Sequence, residues 1–130
     1  MRAFLRTVSI STTVFLVSLP SAQAQTGNVA AGERLFKKCL ICHAESVDEA
    51  RRGPSLVGIV GRKAGVADGY PYSEAMRAAG AAGLVWDEDE LAAFIKSPQA
   101  KVKGSWMSFS GVSRPKDISD VIAYLKQLAR

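Results

Sequence analysis

The sequence predicts an all-α domain, and three observations carry that prediction. Apolar residues recur at helical spacing in several short stretches, and no run alternates as a half-buried strand does. Both cysteines, Cys39 and Cys42, and the only histidine, His43, fall within five consecutive positions. The chain is also short, so its apolar residues alone make a marginal core and something else must help fill it.

The first 24 residues read as a cleaved export signal. Arg2 and Arg6 give a positive start, "VSISTTVFLVSL" is apolar, and "PSAQA" ends in a small-x-small site at Ala22 and Ala24. A retained anchor would need roughly 20 apolar residues, and this run, interrupted by Ser and Thr, has 12. The mature chain expected from cleavage after Ala24 is a single domain, residues 25–130. Without Arg2 and Arg6 the net charge falls from +5 to +3, too small an excess to argue for nucleic acid.

The first predicted helix is "NVAAGERLFKK", with Asn28 as its cap and Gly32 and Phe36 on one face. "CLICH" follows. A disulfide between Cys39 and Cys42 would close almost no chain and stabilise little. Zinc fails by count, because three potential ligands, two of them adjacent, do not build a tetrahedron. A redox-active C-x-x-C remains open but gives His43 no role. C-x-x-C-H is the attachment signal for c-type haem. Two thiols three positions apart share one side of a helical turn and can add to the two vinyl groups on one haem edge; His43 then faces the iron.

Further along, "YSEAMRAAG" predicts a short helix ended by Gly80. Asp87 and Glu90 look like a capping box, followed by a buried stripe of Leu91, Phe94 and Ile95. The acids of "DEDE" therefore belong to a helix start and its dipole rather than to a calcium or acid–base site. "RPKDISDVIAYLKQL" starts at Pro115, suited to a first turn, and puts Ile118, Val121, Ile122, Leu125 and Leu128 on one side.

With a single histidine, methionine is the other common axial partner for a haem iron. Met76 sits at helical spacing among apolar neighbours, the pattern of core filler. Met107 sits in the Gly/Ser-rich loop "KGSWMSFSG", where packing in a helix does not account for it, and is the expected sixth ligand.

The motifs "GERLF", "CLICH", "GPSL", "GIVGRKAG", "YPYSEAM", "LVW", "GSWMSF" and "DVIAYLK", in this order from Val29 to Leu128, resemble a class I c-type cytochrome of the bacterial, mitochondrial-like or cytochrome c2-like kind. The resemblance implies the cytochrome c fold, short helices and loops wrapped around one covalent haem. It implies that the Pro54 carbonyl takes the proton from the His43 ring nitrogen facing away from iron. Arg62, Tyr72 and Trp86 are implied to lie near the haem propionates, and the two terminal helices to cross with Gly32 near Tyr124. Three departures stand out. Met76 replaces the Asn usual near the haem, Trp106 replaces the Lys before the ligand, and Lys103 replaces a Pro upstream of it.

A haem ligated on both faces has no open position for substrate, which leaves one-electron transfer. The expectation is a monomeric, non-enzymatic carrier in a bacterial periplasm. Its partners would be redox proteins (oxidase, reductase, dehydrogenase or photosynthetic centre) that dock at an exposed haem edge. By position, docking residues would be Arg34, Lys38, Lys101, Lys103, Trp106 and Arg114. Trp106 has an alternative as a buried loop plug. Two other functions stay open: a haem sensor or peroxidase-like protein if Met107 is labile, and a thiol–disulfide module without haem.

Overall fold

The computed structural model describes residues 26–47 and 51–129, so the expected leader, 1–24, and its cleavage point lie outside the described residues. Five α-helices follow in order: α1 (Val29–Phe36), α2 (Glu74–Ala81), α3 (Glu88–Lys96), α4 (Pro98–Lys101) and α5 (Pro115–Leu125). Short 3-10 turns span Cys39–Ile41 and Gln127–Ala129. Among the described residues there is no strand, only an isolated antiparallel bridge between Lys63 and Val85.

α1 begins where the Asn28 side chain accepts the Ala31 N–H at 2.8 Å, satisfying one of the free donors of a helix start. Its buried residues, Gly32 and Phe36, face α5. A Cβ on Gly32 would collide with the Asp120 carbonyl and lie 3.0 Å from the Tyr124 Cβ, so only glycine lets the two backbones approach this closely. One turn on, the Phe36 and Tyr124 rings pack at 5.2 Å between centroids. α5 starts with Pro115 in its first turn and buries Ile118, Val121, Ile122 and Leu125, as its spacing predicts.

A buried carboxylate locks this crossing. Asp120 accepts the Asn28 N–H at 2.6 Å and pairs with Lys116 one turn earlier. A carboxylate only 4 % exposed would be costly unpaired, and here it fastens the start of α1 to the middle of α5.

The middle helices differ in two respects from expectation. Gly80 does not end α2. The helix runs through it to Ala81 because Gly80 packs against the Ala64 carbonyl, where a Cβ would clash. The chain instead turns at Gly83, whose φ of +102° suits glycine. In α3 the capping box is half-formed: the Asp87 carboxylate accepts the Glu90 N–H at 2.8 Å, but the Glu90 carboxylate pairs with Lys101 instead. α4 follows α3 after a single residue, Ser97, with Pro98 in its first turn, and this brings Lys101 over α3. Leu91 and Phe94 are buried as predicted, and Phe94 packs on Trp86 with centroids 4.9 Å apart.

The Lys116 ammonium and the Asn28 N–H hold the Asp120 carboxyl below the usual carboxylate range. The folded protein therefore takes up this proton less readily than the unfolded chain. Asp120 contributes stability above about pH 4, and loses that contribution as pH falls through its folded value. Asp120→Asn should be less stable than wild type at neutral pH and should lose less stability on acidification. Thermal unfolding of both proteins between about pH 7 and pH 3 measures the difference.

Candidate functional site

Cys39 opens the 3-10 turn that follows α1, and backbone bonds from Cys42 N at 3.0 Å and His43 N at 2.9 Å both close on the Cys39 carbonyl. In a 3-10 turn residues three apart eclipse, so Cys39 and Cys42 project on the same side. No disulfide joins them. Burial and the neighbouring Cys42 push the Cys39 thiol up to about 11, the opposite of the activated thiolate that a thiol–disulfide module needs. Among the described residues no three His, Cys, Asp or Glu side chains cluster as a metal site.

His43 is buried and clamped. Its Nδ1 lies 2.8 Å from the Pro54 carbonyl, which can only accept, so Nδ1 carries the proton and Nε2 keeps its lone pair. Two backbone bonds flank this contact, Gly53 N to Cys42 O at 2.7 Å and Leu56 N to Ala44 O at 3.3 Å. They lay the 53–56 segment along 42–44. The ring sits so close to Gly53 that a Cβ there would lie 2.7 Å from Cε1 and 2.8 Å from Nδ1. Burial lowers the His43 pKa against the opposing pull of the Pro54 carbonyl, which favours the neutral imidazole that a metal needs.

The structure brings Arg62 and Trp86 together through their backbones. Trp86 N donates to Arg62 O, and Gly61 N donates to Trp86 O, both at 2.8 Å. Trp86 is buried, and Tyr72, half-buried against the edge of the Tyr70 ring, has its hydroxyl pKa raised by burial, opposed first by a hydrogen bond to the Ala67 backbone and then by Arg62. The Arg62 guanidinium also has local work: it donates to Val57 O at 3.0 Å and Ser55 O at 2.9 Å, bracing the segment that begins with Pro54.

Met107 is half-buried in irregular chain, whereas Met76 is only 8 % exposed in the core. Sequence reasoning missed the residue that holds this loop. Gln99 on α4 donates through Nε2 to Ser105 O, Ser105 Oγ and Met107 O, and accepts the Gly104 N–H. No local pattern announces a side chain that binds the backbone of a different segment.

Of the docking candidates, Arg34, Lys38 and Lys103 are exposed. Arg114 is exposed and pairs with Asp117 at 2.8 Å, whereas the Lys101 ammonium is committed to Glu90. Trp106 is 63 % exposed, which removes the buried-plug alternative.

These donors fit haem c: two thiols on one side of a turn, a neutral imidazole with its far nitrogen tied back, and a thioether in a separate loop. Apolar Leu40, Leu56 and Val60 are half-buried against the core nearby in the chain. Comparison with known proteins agrees. Residues 29–129 match the family model described as Cytochrome c. Cytochrome c2 of Agrobacterium tumefaciens is 45 % identical over 100 residues, covering 76 % of this chain and 90 % of that protein. Among solved structures, cytochrome cH from Methylobacterium extorquens superposes with a TM-score of 0.71 at 44 % identity, covering 78 % of this chain and 99 % of that one. Cytochrome c2 from Rhodospirillum centenum gives 0.75 at 34 % identity, covering 80 % and 100 %.

Gly53→Ala should destabilise the haem-loaded protein by about 1–3 kcal/mol, because the new methyl overpacks the His43 ring and the adjacent Cys42 carbonyl. Denaturant unfolding followed by visible absorbance measures this.

Proposed function

The chain belongs to the cytochrome c family, electron-transfer proteins rather than enzymes that carry haem c, and on that premise we propose a periplasmic one-electron carrier with His43 and Met107 as axial iron ligands. Haem c supplies the reversible ferric–ferrous couple when bound. Cys39 and Cys42 form its two thioether links. His43 would offer Nε2 to the iron, with Pro54 fixing the ring plane and tautomer, and the Met107 thioether would supply the second ligand from its separate loop. Arg62, Tyr72 and Trp86 would lie toward the haem propionates, where their donors would help offset two carboxylates.

The observation that carries this reading is the His43–Pro54 hydrogen bond, which leaves one ring nitrogen free and the imidazole oriented. Export fits the N-terminal pattern, with cleavage after Ala24 leaving residues 25–130. Among the described residues no helix is long and apolar enough to cross a membrane. Partners are redox proteins that meet the haem edge in brief encounters, with the protein acting as a monomer. Arg34, Lys38 and Lys103 steer acidic faces, Lys101 and Arg114 contribute less because of their pairing with Glu90 and Asp117, and Trp106 makes the apolar contact.

Visible spectra of the mature protein, made with haem-attachment machinery, test the ligation. A low-spin spectrum, haem that survives denaturing extraction and no response of the reduced form to carbon monoxide are expected. Ready carbon monoxide binding would instead favour a sensor or peroxidase-like role.

Trp106→Ala should leave that spectrum unchanged while weakening the affinity for an acidic redox partner by roughly tenfold, and Trp106→Lys should steepen its salt dependence. Stopped-flow electron transfer at several ionic strengths measures both.

A further inference from the structure

We propose that Gln99 is the positioning residue for the sixth ligand: its side-chain amide clasps residues 104–107 and sets how readily Met107 leaves the iron. The proposal rests on the reading of Met107 as a ligand. One amide makes four contacts to this segment. Nε2 donates to Ser105 O at 2.8 Å, to Ser105 Oγ at 3.1 Å and to Met107 O at 3.3 Å, while Oε1 accepts from Gly104 N at 3.1 Å. The network fixes which end of the amide is which, since a backbone N–H needs the oxygen and two carbonyls need the nitrogen.

Little else holds the segment. Ser105 N bonds to Val102 O at 3.1 Å, and the next backbone tie is Val112 N to Ile95 O at 3.0 Å. Among the described residues no backbone–backbone hydrogen bond anchors 106–111. Met107 therefore sits in irregular chain whose one hydrogen bond to another element at that residue is to the amide on α4, beside the packing of its side chain against the core. Because residues 105 and 107 are both drawn to the same nitrogen, the intervening Trp106 stands outward, in keeping with its exposure. The clasp is neutral, so unlike the adjacent Lys101–Glu90 pair it is not screened by salt.

The test uses haem-loaded wild type, Gln99→Ala and Gln99→Glu. It reads the sulfur-to-iron charge-transfer band of the oxidised form and carbon monoxide binding to the reduced form, well below the unfolding temperature. Gln99→Ala should weaken the band and raise carbon monoxide affinity roughly tenfold, or about 1.4 kcal/mol. That is the scale of one or two net hydrogen bonds. Gln99→Glu keeps the length and the acceptor for Gly104 but sets an acceptor against two carbonyls, so it should be at least as labile. The Gln99→Ala effect should not change with salt, whereas the carboxylate of Gln99→Glu makes that variant's effect salt-dependent. A merely structural Gln99 would lower the Tm of both variants without moving the band or carbon monoxide binding, and that result overturns the proposal. A wild-type protein with no charge-transfer band would overturn the ligation reading itself, and the clasp with it.

Discussion

Where α1 crosses α5, backbone meets backbone. Gly32 has no side chain to hold the Asp120 carbonyl away, and the Asp120 carboxylate on the same residue reaches back to the amide of Asn28, the cap of α1. A methyl group at Gly32 would separate the helices and with them the Phe36–Tyr124 ring contact. The rest of the molecule is arranged around this junction. The attachment turn leaves directly from the end of α1, and α3 packs on α5 from another side. The close approach is enforced by an absence of atoms and held by a buried, paired charge, so apolar burial is not its only support.

Neither axial candidate lies on an α-helix. His43 follows a 3-10 turn and Met107 lies in irregular chain, so their positions depend on individual hydrogen bonds rather than on a repeating ladder. Around His43 those bonds form a short zip between 42–44 and 53–56, with Arg62 bracing the outer segment. Around Met107 they converge on one amide. The two sides therefore differ in their hydrogen bonding: several independent backbone and side-chain bonds surround His43, whereas Met107 is held by one side-chain amide and by its packing against the core.

Much of this was legible in the sequence where the chemistry is contiguous or periodic. C-x-x-C-H declares its cofactor within five residues, and the apolar faces of α1, α3 and α5 follow from spacing alone. Asn28 and Asp87 cap their helices as residue type predicts. The misreadings share one physical origin, which is tertiary contact. Gly80 looked like a helix terminator but is glycine because the Ala64 carbonyl passes over it. Glu90 looked committed to its own helix start but found Lys101. Asp120 and Gln99 look like solvated surface residues in a string of letters. Their roles depend on segments distant in sequence or on the path of a loop, which local pattern does not encode.

The bond between Asn28 and Asp120 joins residues 92 positions apart, almost the whole length of the described chain. α1 precedes α5 in the chain, and its face toward α5 has no partner there until that helix exists. A chain halted before α5 would lack both the Phe36–Tyr124 ring contact and the bond that fastens the start of α1. Closing so large a loop costs only slightly more than closing a moderate one, but that cost falls due before any native contact across the crossing repays it. The junction on which the fold turns is thus one that only a chain synthesised through α5 can make.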